Sequence, residues 1–183
     1  MTLASPAPEP APLALVPVTA DTFPRYRDGL LALLQDSVAG GASVGFLADT
    51  PEAHLAAYWA EVADALARGH LRLWVAWEDG AVFGSVQLAL VTKPNGLKRA
   101  EVQKLLVVRA ARRRGIARAL MEALERSALD LGRTLLFLDT LAGSEAERVY
   151  QVLGYQRAGE IPDYAATPDG HYHPTALYYK RLA

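Results

Sequence analysis

The chain has 183 residues, 51% of them hydrophobic, with 19 basic and 20 acidic side chains, a net charge of −1 and no cysteine. That length supplies one sizeable core and is short for two, and the missing cysteines exclude disulfides, thiolate metal sites and a cysteine nucleophile. A charge so close to zero gives no general attraction to nucleic acid or anionic lipid, so any basic patch has to be local.

The opening "MTLASPAPEPAP" has neither a basic start nor an apolar signal core. No apolar run nears the roughly 20 residues of a membrane helix. The expectation is a cytoplasmic protein with a disordered Ala/Pro-rich tail over 1–12, then a single domain over 13–183. "LALVPVT" reads as a short strand with an edge-tolerated proline. Asp21 or Thr22 caps a helix through "RYRDGLLALLQDSV", which stops at Gly40 and Gly41. "TPEAHLAAYWAEVADALARG" predicts a second helix, with Thr50 as cap, Pro51 in the first turn and Gly69 past the end. "LRLWVAW", the turn "EDG" and "AVFGSVQLALV" form a predicted hairpin. After the loop "TKPNGLKR" comes the strand "AEVQKLLVV".

A helix follows in which Ile116, Leu120, Leu124 and Leu131 share one stripe, while Arg118, Glu122 and Arg126 face water as i,i+4 pairs. "TLLFLDT" is nearly all apolar, which predicts a strand buried on both faces. Ser144 and Glu147 make a capping box for the helix "SEAERVYQVL", closed by Gly154. The strands "YQRAGEI" and "TALYYKRL" end the chain, separated by the loop "PDYAATPDGHYHP". This order predicts a three-layer α/β domain around a mixed sheet.

One stretch carries chemistry by its composition. "VVRAARRRGIARALM" crowds Arg112, Arg113, Arg114 and Arg118 around the turn between a strand and a helix. The first amides of such a helix are unpaired and sit at the positive end of its dipole, which suits a phosphate or pyrophosphate. Gly115 lets the backbone come close and Ala117 leaves room. From spacing alone, a solvated charge run remains an equal reading. The turn matches neither a P-loop nor G-x-G-x-x-G.

"LLVVRAARRRGIARALM" resembles the acetyl-CoA signature of the GNAT superfamily of N-acetyltransferases, Q/R-x-x-G-x-G/A, with Arg112, Gly115 and Ala117 at its core. "AERVYQVLGYQ" resembles the family's later helix, with its tyrosine and Gly-aromatic ending. A closer likeness lies in "GGASVGF", "KPNGLKRAEVQKL", "LDT", "AGSEAE" and "ATPDGHYHPTALYYK", which resemble the tabtoxin-resistance acetyltransferases. Two positions depart from the broad pattern: Arg109 stands where many members have proline, and Gly143-Ser144 where many have asparagine.

The resemblance implies a mostly antiparallel mixed sheet with helices on both faces, acetyl-CoA as donor and no metal. It also implies direct attack of an amine on the thioester. Leu106, Val107 and Val108 then offer backbone groups to the pantetheine arm, the N–H of Val107 being best placed for the developing oxyanion. Arg112, Arg113, Arg114, Gly115, Ile116, Ala117 and Arg118 hold the pyrophosphate, with Ser144 nearby. An alkylammonium with a pKa of roughly 10 has to lose a proton before it can attack. Glu101, read as in phase with Gln103, Leu105 and Val107, and Asp139, which interrupts "LLFLDT", are the candidate bases. The plain alternatives are a solvated Glu101 and a turn-capping Asp139. Tyr150 is the candidate acid for the leaving thiolate, or a core aromatic. Gly41, Ser43, Phe46, His171 and His173 border the acceptor on the closer likeness. H-x-H beside Asp169 lacks further ligands, so no metal is expected.

The resulting expectation is an acyltransferase acting on a small-molecule primary amine, including a β-lactam amino-acid toxin or related antibiotic, as a monomer or homodimer without nucleic acid or membrane partners. A protein or peptide acceptor and a non-catalytic coenzyme A-binding domain are the alternatives.

Overall fold

The computed structural model describes residues 13–183, and the expected tail over 1–12 lies outside them. The elements follow the expected order: β1 (Ala14–Val18), α1 (Phe23–Ala39), α2 (Glu52–Ala67), β2 (Leu71–Glu78), β3 (Ala81–Leu90) and β4 (Arg99–Val107). Then come α3 (Ile116–Asp130), β5 (Leu135–Leu141), α4 (Glu145–Val152), β6 (Gln156–Ala166) and β7 (Tyr172–Arg181). They build a seven-stranded sheet in the order β1-β2-β3-β4-β5-β7-β6. Every neighbouring pair is antiparallel except β4 with β5.

Helices cover both faces because each presents one apolar stripe. On one face, Ile116, Leu120, Met121, Leu124 and Ala128 of α3 are at most 2% exposed against Val86, Val102 and Leu136. Each of the isoleucine, leucine and methionine side chains contributes about 1.5–3 kcal/mol by its burial. Leu131 does not join them: it lies past the end of α3 and is 38% exposed. On the other face, α1 and α2 pack Leu30, Leu34, Trp59 and Val62 on Leu73 and Val75. Asp79 and Gly80, both with positive φ (46° and 83°), turn β2 into β3.

Several local expectations give way to other bonds. Thr22 does sit at the start of α1, but its hydroxyl accepts from Thr19 and caps nothing in the helix. Thr50 likewise accepts from the amide of Leu47, and Pro51 takes the cap position of α2. β5 is buried on one face only: Leu136 and Leu138 are enclosed, whereas Leu135 and Phe137 are half-buried. The last hairpin extends well into the supposed loop, leaving only 167–171 outside strand. A bulge between Ile161 and Ala165, with Asp163 at φ 49°, absorbs Pro162. Pro174 falls opposite that bulge and beyond the last β5–β7 pair, so its missing N–H breaks neither ladder.

Two irregularities position the site. β4 and β5 pair only at Arg99–Leu135, Ala100–Leu136 and Glu101–Phe137. Beyond that point β4 stays with β3 and β5 with β7, and a wedge opens between them. Within β4 a bulge at Lys104 (φ 48°) shifts the register between Ser85 and Gln87. The strand therefore changes phase. Leu106 packs on the α1/α2 face, whereas Leu105 and Val107 pack on the α3 face. Glu101 and Gln103 are thus not in phase with Leu105 and Val107, because the inserted residue flips the alternation.

Candidate active site

The wedge forms a cleft of about 960 Å³ that runs from the turn before α3 to the loop between α1 and α2. At one end Arg112 leaves the strand direction, Arg113 (φ 64°) and Gly115 (φ 79°) take left-handed backbone, and α3 begins at Ile116. No side chain caps α3, so its first amides face the cleft unpaired. A Cβ on Gly115 would meet nothing within 4 Å; glycine answers to the positive φ. Arg112, Arg113, Ala117 and Arg118 line this end. Ile116 is 2% exposed, which leaves its backbone as the available part.

The arginines of the turn have different partners. Arg114 points the other way, bonding both oxygens of Glu78 (2.9 and 3.1 Å) and lying over the ring of Phe83. Arg118 bonds Glu122 at 2.9 Å. Arg109 is tied to Asp36 at the end of α1 by its backbone amide and its guanidinium, each at 2.9 Å. Burial works against ionisation of Asp36, but these two bonds outweigh it and hold its carboxyl below the ordinary range. A residue that departs from the family pattern thereby fixes the turn to α1.

In the middle of the cleft the β4 backbone is bare on the side β5 has left. Val108 donates its amide to Phe83 on β3 (2.9 Å), and successive strand amides alternate edges. The N–H of Val107 therefore faces the wedge, while that of Val108 is spent. Leu106, 4% exposed, likewise contributes backbone only. Across the cleft, Tyr150 of α4 is 7% exposed, and burial first, then the charge of Asp139, raises its phenol above the ordinary value. Ser144 also lines the cleft, its hydroxyl buried and without a hydrogen-bond partner. The expected capping box does not form, since the amide of the cap residue Ser144 donates to Leu141 instead. Glu147 reaches back to the amide of Gly143 (2.6 Å) and also accepts from Tyr178, while Ser144 Oγ caps nothing.

At the far end stand the acids. Glu101, the last β4 residue paired to β5, shares a sheet face with Phe137 and, two residues on, with Asp139. Glu101 accepts from Gln103 (2.9 Å) and Asp139 from Thr175 (2.9 Å), bonds that fix both carboxylates near the apex from which the wedge opens. Overhead, Ser43 donates to Ala166 (3.0 Å) and Ala48 to Pro168 (2.8 Å), so the α1–α2 loop is stitched to the last hairpin.

A family model, the acetyltransferase (GNAT) family, matches residues 42–155, a span that takes in the whole cleft-building segment from β2 to α4. The chain belongs to the GNAT acetyltransferase family. It is an acyltransferase with acetyl-CoA as donor, and the uncapped helix, the bare strand edge and the unpartnered Ser144 are features that fit such a group. Solved relatives share the fold. An N-acetyltransferase from Staphylococcus aureus Mu50 is 20% identical with a TM-score of 0.77, over 94% of this chain and all of that one. A ribosomal-protein-alanine N-acetyltransferase from Brucella melitensis is 20% identical with a TM-score of 0.74, over 93% of this chain and 100% of that one. A phosphinothricin acetyltransferase from Sinorhizobium meliloti, solved with acetyl-CoA, is 18% identical with a TM-score of 0.74, over 93% and 89%.

In this GNAT fold the wedge gathers Glu101, Asp139, Tyr150, Ser144 and the turn, together with Gly41, Ser43 and His173. It does not gather Arg114, Val108, Phe46 or His171. Phe46 packs edge-on against Tyr58 at 5.6 Å. His171 pairs with Asp169 on the surface (3.2 Å), where the Thr167 hydroxyl, the His171 amide and its ring hold Asp169 down to about 2. Among the described residues no group of acids and histidines gathers as a metal site, and no helix is long and apolar enough to cross a membrane. The sequence reading passed over Lys104 and Tyr164, which also line the cleft. For Lys104 no local signal exists, because the bulge that turns it inward depends on pairing with β3.

Proposed function

We propose that this GNAT acetyltransferase acts on the primary amine of a small molecule in the cytoplasm, in a detoxifying or resistance role, with a β-lactam amino-acid toxin or related antibiotic as acceptor. Acetyl-CoA supplies an activated acetyl group; the rest of the chemistry falls to the chain. The single observation that carries the reading is the wedge itself, with an anion-binding helix start at one end and two carboxylates at the other. Arg112, Arg113, Gly115, Ala117 and Arg118 neutralise the pyrophosphate, largely through backbone amides and the helix dipole. Ser144 Oγ meets the pantetheine arm. The Val107 N–H stabilises the oxygen on which charge develops.

Glu101 and Asp139 remove the proton from the acceptor ammonium, directly or through a water. Tyr150 keeps its proton more tightly than a free phenol does, since burial penalises the phenolate. It therefore serves the departing sulfur as a hydrogen-bond donor more than as a full acid. Gly41, Ser43 and His173 border the acceptor.

Coenzyme A release measured against β-lactam amino acids, aminoglycosides, polyamines and basic peptides tests this reading. Turnover of a small amine by the wild-type chain, lost in Glu101→Gln while acetyl-CoA still binds, is the expected result. Turnover confined to peptides would replace the small-molecule acceptor by a protein one.

A further inference from the structure

Two lysines of this chain are largely shielded from water, and they are handled differently. Lys180 donates to Glu125 and to the carbonyl of Leu153, each at 2.7 Å. Lys104 has no hydrogen-bond or ion-pair partner among the described residues, although burial lowers its pKa and the charges of Asp139 and Glu101 only partly oppose this. Its ammonium rests 5.2 Å from the ring centroid of Tyr58. That ring is itself fixed: its hydroxyl donates to Gln87 (2.9 Å), and Phe46 and Trp59 pack edge-on at 5.6 and 5.2 Å.

The backbone at Lys104 is also unusual. At φ 48° it occupies the left-handed region, where glycine or asparagine is at home. A lysine suits neither that backbone nor burial without a counter-ion. Both costs fall at one point, the acceptor end of the cleft, on the face shared by Glu101 and Asp139.

We propose that Lys104 selects the acceptor, its bulge-mounted ammonium holding a carboxylate of the molecule whose amine is presented to Glu101 and Asp139. The inference rests on the acetyl-transfer reading above. An amino acid brings opposite charges close together, matching two acids beside one ammonium. An amine with no anion, or an amide in place of the carboxylate, leaves Lys104 buried and unpaired. Specificity of this kind arises from the penalty on the wrong acceptor as much as from attraction to the right one.

The test compares kcat/KM for L-amino acids and phosphinothricin with that for their α-carboxamides and for spermidine. The wild-type chain should favour the carboxylate forms by roughly 10- to 100-fold, the range for a charge-assisted hydrogen bond. Lys104→Met should erase that preference through the acceptor KM, with the KM for acetyl-CoA unchanged. Lys104→Arg should retain it. Lys104→Asn, suited to the left-handed backbone, carries the test if the methionine variant does not fold. A wild-type enzyme that turns over spermidine and carboxamides as well as amino acids overturns the assignment, as does an unchanged preference in Lys104→Met. Retained acetyl-CoA binding alongside either result would bring down the role of Lys104 alone. A wild-type chain that binds no acetyl-CoA would bring down the acetyl-transfer reading itself.

Discussion

The two ends of the cleft are made of different material. The donor end is backbone: a left-handed turn at Arg113 and Gly115 and the uncapped start of α3, with arginines around it. The acceptor end is side chains delivered by separate elements: Glu101 and Lys104 from β4 and Asp139 from β5, with Tyr58 of α2 against Lys104. A backbone site is specified by a few adjacent residues, to which the neighbouring arginines add charge. A side-chain site exists only once β4, β5 and α2 have been brought together.

If that division holds, variants should separate cleanly by end. The largest effect is expected for Glu101→Gln or Asp139→Asn. Either should lower kcat by roughly 10²–10⁴-fold, the usual worth of a positioned base. Acetyl-CoA affinity should change by less than about twofold, since neither residue touches the donor end. Equal losses in both quantities would erase the distinction.

Next come Gly115→Val and Arg112→Ala. The first forces a β-branched residue to φ 79°, and each should raise the KM for acetyl-CoA by roughly 10- to 100-fold at little cost in kcat. Arg114→Ala is the internal contrast. Its guanidinium is bonded to Glu78, so the KM for acetyl-CoA should stay at the wild-type value, and a tenfold rise would put Arg114 back in the anion site.

Tyr150→Phe should slow the chemical step about tenfold, the scale of one hydrogen bond to a charged leaving group. Wild-type single-turnover rates would make it packing for Tyr155 and Tyr178.

The smallest effect is a pH dependence. Because the Asp36 carboxyl titrates below its ordinary value in the folded chain, its tie to Arg109 is intact above the unfolded carboxylate value of about 4 and is lost as pH falls through the folded one. Acetyl-CoA affinity should therefore hold level down to about pH 5 and weaken a few-fold below about pH 4, and Asp36→Asn should remove that step.

The same division explains what the sequence discloses. The donor end is legible because glycine at a strand-to-helix turn, ringed by arginine, is a local pattern with a local cause. The order of elements is legible too, since periods of 2 and 3.6 alternate cleanly along the chain. The wedge between β4 and β5 leaves no trace in either strand, because where two strands part depends on their pairing and not on the composition of either one. The bulge at Lys104 is nearly as silent: "EVQKLLV" alternates as far as Gln103 and then ceases to, and only pairing with β3 reveals the extra residue. The prolines of the β6–β7 hairpin mislead for the opposite reason. Pro162 and Pro174 read as loop, yet one lies within a bulge and the other opposite it.

Calorimetric titration of acetyl-CoA into the wild-type chain, Gly115→Val and Glu101→Gln separates the ends most directly. The expected outcome is one-site binding in the wild type, the same affinity in Glu101→Gln, and a collapse in Gly115→Val. Equal binding by wild type and Gly115→Val would contradict a backbone-built anion site at the start of α3.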